Sequence, residues 1–217
     1  AFQLTYYRLF GRNDATYEAA STRAFLHGRT ETVRSVTRAA ADFCHVVCSG
    51  CSHLFDAQEA LRAAAAEHVR LMTAAKHGLG IDRHFFGLER IARRPSKRSF
   101  AVKHRVPSLF EDPVFRKQKH WNMSTSHCGS TSLNMFGFGP VVLDGLGLGY
   151  MIFNEEIHVV VTCKSQRYVA KHHPRLFHSN RNAAGFATML KESLHTMKRI
   201  IGGDHQGNPI VVKRSSL

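Results

Sequence analysis

Two apolar runs joined by a polar tripeptide constrain the fold of this chain more than any other feature. Residues 147–153 and 157–163 flank Asn154-Glu155-Glu156, the signal of two antiparallel strands and a short turn. A hairpin this apolar needs further strands and a covering layer before it is stable in water. The chain has candidates for that layer. Residues 56–77 are rich in Ala, Leu, Glu and Arg, which favour helix, with Asp56 placed as the N-cap and Gly78 as the stop. Residues 182–201 carry Phe186, Met189, Leu190, Leu194 and Met197 at helical spacing, and Gly202-Gly203 ends them. Residues 82–93 put Phe85, Leu88 and Ile91 on one helical face. The expected class is α/β: a mixed β-sheet flanked by helices.

The remaining segments fill in that outline. Residues 1–10 read as the tail of a helix stopped by Gly11. Residues 17–25 suit a strand, through Tyr17, Thr22 and Phe25. A polar loop over 27–32 follows, with Thr30 as a possible cap for a helix over 33–47 that carries Val33, Val36, Ala40 and Phe43. Residues 113–119 predict a short helical turn, 121–126 a strand, and 164–180 a polar connection. A chain of 217 residues makes one large domain or two small ones. No run approaches the roughly 18 apolar residues of a membrane span. The opening Ala1-Phe2-Gln3-Leu4 lacks both a basic n-region and an initiator Met, so the expectation is a fragment or processed chain without a signal peptide.

Charge and cysteine usage open two other functional classes. The net charge is +14, which favours an anionic partner. The excess sits in Arg93-Arg94-Pro95-Ser96-Lys97-Arg98, Lys103-His104-Arg105 and Arg116-Lys117-Gln118-Lys119-His120. Few aromatics interleave with these runs and no nucleic-acid fold signature accompanies them, so solvated loops are expected and nucleic acid is not the expected partner. Cys44, Cys48 and Cys51, with His45 and His53 nearby, offer zinc-ligand types. Their spacing matches no standard zinc ribbon and no second Cys pair follows, so structural cysteines are expected and no metal.

The stretch with most chemical content is Ser124-Thr125-Ser126-His127, followed by Met135-Phe136-Gly137-Phe138-Gly139-Pro140-Val141-Val142, Asp144-Gly145 and Gly147-Leu148-Gly149-Tyr150. Such hydroxyls can stabilise an oxyanion, and an aromatic face can hold a cation that has no N–H to donate. Taken alone, the stretch is more simply a Ser-rich loop leading into a buried hairpin.

Two further motifs precede it in order: Tyr17-Glu18-Ala19 with Gly28-Arg29-Thr30-Glu31-Thr32-Val33-Arg34-Ser35, and Ile81-Asp82-Arg83-His84 with Gly87-Leu88. With all three in this order, residues 1–202 resemble the C-terminal part of the carnitine/choline acyltransferase family. The resemblance implies a chloramphenicol-acetyltransferase-like domain, incomplete as given, with a tail at 203–217. It implies transfer of an acyl group between coenzyme A and carnitine. Matched positions make Arg83, Thr30 and Tyr17 the carboxylate site. Phe138 and Val141, with Ser124 nearby, become the trimethylammonium site, and Ser126 the oxyanion donor. Arg29 becomes a structural active-site residue, expected to pair with an acid outside this chain. Keeping both Thr30 and Arg83 points to carnitine over choline, which has no carboxylate.

Phe136 stands at the family position that gates the acyl pocket, where a bulky residue favours acetyl or other short chains; the alternative is a medium- or long-chain enzyme. His127 departs from the Gln or other polar residue common near the coenzyme A thiol arm. The family's catalytic histidine and the lysines for coenzyme A phosphate lie upstream of this segment, so the chain alone is expected to be inactive. Carnitine, acyl-CoA and the missing N-terminal half are the expected partners of a full-length monomer that is not a membrane protein. Lys213-Arg214-Ser215-Ser216-Leu217 is similar to a peroxisomal Ser-Lys-Leu terminus; the expected location is the peroxisome, the mitochondrial matrix or both.

Overall fold

A computed structural model of the chain describes residues 1–49, 53–94, 106–130, 132–176 and 182–202. Most of the Arg93–Arg105 basic region, Cys51 and the tail 203–217 lie outside these residues. Five strands form one sheet: β1 (Thr16–Ser21), β2 (Thr30–Arg34), β3 (Met123–His127), β4 (Leu146–Ile152) and β5 (Ile157–Cys163). Their order is β2-β1-β3-β4-β5. The β1–β2 and β4–β5 pairs are antiparallel, and β1–β3 and β3–β4 are parallel. The mixed sheet with flanking helices is the α/β class expected.

Seven α-helices occur among the described residues: α1 (Phe2–Phe10), α2 (Arg38–Cys48), α3 (Leu54–Lys76), α4 (Asp82–Ala92), α5 (Pro113–Lys117), α6 (Gln166–His172) and α7 (Ala183–Gly202). Three of them cover one sheet face. Tyr6 of α1 and Phe186 and Leu190 of α7 bury against Met123, Leu146, Leu148 and Val159. Ala75 of α3 packs on Ala20 and Val33, at the β1–β2 side. A second cluster joins the helices to one another through Leu4, Phe43, Cys44, Ala57 and Ile200. No helix among the described residues is long and apolar enough to cross a membrane.

Several sequence expectations change. Thr30 begins strand β2 and caps no helix; α2 starts at Arg38, and the Thr37 hydroxyl accepts the Ala40 N–H at 3.0 Å. Val33 and Val36 sit three apart by coincidence, because Val33 belongs to a strand held by β1. Strand β1 ends at Ser21, before a turn in which Gly28 N–H donates to the Phe25 carbonyl. His53, not Asp56, is the N-cap of α3; Asp56 accepts the His53 N–H from the first turn. The polar connection contains α6, capped by Ser165. Helix α4 buries none of its residues: Leu88 and Ile91 are 41% and 63% exposed, while Phe85 rests edge-on against Phe115.

Candidate active site

Strand alternation separates packing from chemistry. Met123, Thr125, Leu146 and Leu148 point toward the helices, and their neighbours point away. On that second face stand Tyr17, Ser124, Ser126, Gly147, Gly149, Val160 and Thr162, with Thr30, Thr32 and Arg34 on β2. Tyr17 is the register partner of both Ser124 and Arg34. Its ring meets Trp121 edge-on at 6.0 Å, and the Arg34 guanidinium lies over the same indole at 5.1 Å. Ser124 is buried and Ser126 half-buried.

The N-terminus of α4 is fastened to β2 by two side chains. Arg34 Nε donates to Asp82 Oδ1 at 3.0 Å. Glu31 Oε1 accepts two backbone N–H groups, from Thr32 at 2.6 Å and from Arg83 at 3.2 Å. Gly80 makes this approach possible, since a Cβ there would stand 2.3 Å from Glu31 Cγ. So held, the Arg83 side chain turns onto Thr30. Its Nη2 lies 3.3 Å from the hydroxyl and its Nε 3.4 Å from the carbonyl. Both residues are exposed, which leaves a guanidinium and a hydroxyl facing outward together. A carboxylate is the natural ligand of such a pair.

Of the residues expected to hold a carboxylate, Arg83 and Thr30 are paired, while Tyr17 stands apart from them beside Ser124, a residue expected near the trimethylammonium group. Thr30 is the register partner of Ser21, four residues from Tyr17, or about 13 Å along the strand.

Over β4 the backbone of the Phe136-to-Gly139 segment crosses the same face. A Cβ on Gly149 would meet the Phe136 carbonyl at 2.6 Å, and one on Gly147 the Phe138 carbonyl at 2.5 Å. The Thr162 hydroxyl donates to that Phe138 carbonyl at 2.5 Å. The glycines of β4 thus give this segment its seat, with the Phe136 and Phe138 rings 6.2 Å apart. Val141 lies beyond the crossing, 60% exposed. Arg29 is exposed in the β1–β2 turn, where its carbonyl accepts the Thr22 N–H at 3.0 Å. The His127 ring packs against Tyr150 at 5.2 Å, and its Nε2 lies 3.4 Å from the Ile152 N–H.

Glu18, Glu31 and Arg34, with Thr125 and Asp82 as partners, belong to the quoted motifs but had no role in the sequence reading. Glu18 is 3% exposed. Burial pushes its carboxyl up to about 7, against the opposing effect of its hydrogen bonds with Thr125, Tyr150 and the His127 backbone. Burial also raises the Tyr150 phenol, and Glu18 beside it adds to the effect. These two residues and Thr125 line a cavity of about 250 Å³ between the sheet and the helices. A strand-alternation argument would have flagged Glu18, because it shares a face with Ala20 and Val33. Of the cysteines, Cys44 is buried with Asn13 Nδ2 at 3.7 Å from its sulfur, and Cys48 is exposed.

Comparison with known proteins supplies a family context. The sequence profile of choline/carnitine O-acyltransferases matches residues 1–191. A mitochondrial carnitine O-acetyltransferase of Saccharomyces cerevisiae is 36% identical over 162 residues, 75% of this chain and 23% of the relative. A peroxisomal carnitine O-octanoyltransferase of Rattus norvegicus is 39% identical over 170 residues, 77% of this chain and 26% of the relative. Mitochondrial carnitine O-palmitoyltransferase 2 of Homo sapiens is 34% identical over 209 residues, 91% and 27% respectively. The chain spans about a quarter of the length of these curated relatives.

Proposed function

The chain belongs to the choline/carnitine O-acyltransferase family, and on that premise we propose that it is the carnitine-binding part of a carnitine O-acyltransferase, formed by residues 1–202. The observation that carries this reading is the Arg83–Thr30 pair, a cation and a hydroxyl 3.3 Å apart and open to solvent. Carnitine has a carboxylate to place there and choline has none. The trimethylammonium group would lie against Phe138 and Val141, near Ser124, where attraction to the ring face replaces hydrogen bonding. Tyr17 would complete the carboxylate contacts.

In the reaction we propose, a histidine supplied by another part of the protein takes the proton of the carnitine hydroxyl. The oxygen then attacks the thioester carbonyl, and Ser126 donates to the oxyanion. On collapse the acyl–sulfur bond breaks, the acyl–oxygen bond remains, and the coenzyme A sulfur receives the proton. This route calls for no metal and no acyl-enzyme. Arg29 would pair with an acid outside the chain. Phe136 favours short acyl groups. The three relatives above carry names for acetyl, octanoyl and palmitoyl transfer, so a medium- or long-chain enzyme is the second reading. Their names also place them in mitochondria or peroxisomes, and we assign this protein to one or both compartments.

The test is carnitine-dependent release of coenzyme A thiol by the whole protein, with acetyl-, octanoyl- and palmitoyl-CoA compared side by side. Activity highest with acetyl-CoA and about tenfold or more lower after Arg83→Ala supports the reading. Turnover that is indifferent to carnitine, or to Arg83, overturns it.

A further inference from the structure

Glu18 sits directly behind the candidate site. Tyr17 points to the site face and Glu18 to the helix face, as neighbours on β1 must. Its register partner on β3 is Thr125, the residue between Ser124 and Ser126. The Thr125 hydroxyl lies 2.8 Å from the Tyr17 carbonyl and also hydrogen-bonds Glu18 Oε2. A hydroxyl has one proton, and a carbonyl can only accept. When Thr125 donates to Tyr17, its bond to Glu18 must be donated by the carboxyl. The other oxygen, Oε1, accepts from the Tyr150 hydroxyl at 3.3 Å. The His127 backbone also hydrogen-bonds this carboxyl, and all these bonds are satisfied together by a neutral acid; the hydrogen bonds donated to the carboxyl favour the ionised form, but burial is the larger effect and pushes Glu18 up to about 7.

We propose that Glu18 is a positioning residue for the acyl-transfer site: as a neutral acid it ties β1, β3 and β4 together from behind and so fixes Tyr17, Ser124 and Ser126 on the opposite face. This rests on the carnitine reading above. Glu18 itself does not reach the site face, so it acts only through its neighbours. Ionisation leaves the carboxylate as an acceptor alone. Thr125 must then choose between Glu18 and the Tyr17 carbonyl, and the β1–β3 junction under Tyr17 and Ser124 loosens. Other titratable groups share this cavity: His68 from α3 and Tyr150 from β4. The His127 ring packs on Tyr150. From α2 and α7 the lining side chains are Ala40, Phe43 and Met197, which do not titrate.

The experiment compares the whole protein with its Glu18→Gln and Glu18→Ala variants. Steady-state KM for carnitine and kcat are measured on either side of neutral pH, together with the infrared carbonyl band of a protonated carboxylic acid. Glutamine can donate through its amide where the neutral acid donates through its O–H, and it does not titrate. The expected result is that wild type shows the acid band and Gln lacks it. KM should rise about threefold or more above neutral pH in wild type and stay flat in Gln. Ala should raise KM about tenfold at every pH, with a smaller change in kcat.

A Gln variant with the wild-type KM slope, a Gln variant as impaired as Ala, or no acid band lost on substitution each overturns the assignment. A purely structural Glu18 would lower stability and leave the pH slope of KM in place. If Ala does not fold, the Gln comparison and the infrared band still decide. A wild-type protein with no carnitine-dependent turnover instead overturns the functional reading, while the band still reports the proton on Glu18.

Discussion

Glu31 holds the backbone of Arg83: its Oε1 accepts the Arg83 N–H at 3.2 Å, and the Arg83 guanidinium comes to rest 3.3 Å from the Thr30 hydroxyl. The carboxylate acts as a borrowed cap for α4, supplied by the adjacent strand, because neither Ile81 nor Asp82 caps its own helix with a side chain. Arg83 therefore inherits its position from β2 and not from α4 packing, since α4 buries no residue.

The first prediction follows from that dependence. Glu31→Ala removes both backbone contacts and should cost about 1 kcal/mol in stability, the usual worth of an N-cap. Its larger effect should be functional: KM for carnitine rises about five- to tenfold in the whole protein while kcat changes little. Glu31→Gln keeps an acceptor oxygen and should stay near wild type. Steady-state kinetics with denaturant melts read both effects, and equal KM values for Ala and wild type would contradict the positioning.

A second prediction concerns pH and stability. Glu18 has a folded-state pKa of about 7 against an ordinary value of 4.5. The folded protein therefore binds its proton more tightly than the unfolded chain does. This contribution is fully present below about pH 4.5, declines as pH rises, and is lost once pH has passed through about 7. Its full size is on the order of 3 kcal/mol. Urea unfolding at a series of pH values should show this slope in wild type and a shallower one in Glu18→Gln. Identical slopes would mean that Glu18 titrates alike in the folded and unfolded protein.

What was legible in the sequence was local. The β4–β5 hairpin, α3 and α7 were readable because alternation, helix propensity and helical spacing act within a few residues. Strand β2 was missed because its five residues owe their conformation to pairing with β1, and Val33 and Val36 imitate a helical step. The apolar face of α4 was legible as a pattern but not as buried surface. Of the candidate site, the residue types were legible through motif order. Their geometry was not: Thr30 and Arg83 are 53 positions apart, and what joins them is Glu31 fitting against Gly80. Glu18 was missed as a partner because its hydrogen bonds come from β3 and β4, more than a hundred residues away.

The glycines of β4 lead to a third prediction. A methyl group on Gly149 would stand 2.6 Å from the Phe136 carbonyl and 3.0 Å from Gly137 Cα. These are backbone atoms, so no side-chain rotation relieves the clash. Gly149→Ala should destabilise the protein by about 1–3 kcal/mol and push the Phe136 segment off the sheet. Under the reading that Phe136 limits acyl length, the preference among acetyl-, octanoyl- and palmitoyl-CoA should change as well. Thermal melts with acyl-CoA profiling check both parts. A stable Gly149→Ala protein with an unaltered profile would show that the segment is not seated on β4.

The last prediction separates binding from chemistry on one strand. Ser124 and Ser126 share a face of β3, yet Ser124 is buried beside Tyr17 while Ser126, opposite Gly149, is half-buried. An oxyanion donor acts on charge that develops only in the transition state, so its loss lowers kcat and leaves ground-state affinity alone. Ser126→Ala in the whole protein should reduce kcat by about 10²- to 10³-fold with KM for carnitine within about twofold. Ser124→Ala, next to the proposed cation site, should act mainly on KM. The two effects follow from the places of these serines on the strand: Ser124 is paired to Tyr17, which we propose contacts carnitine, while Ser126 lies two residues on, where β3 has passed its last pairing with β1. If Ser126→Ala raised KM and spared kcat, Ser126 would be a binding hydroxyl, and the oxyanion donor would have to come from elsewhere in the protein.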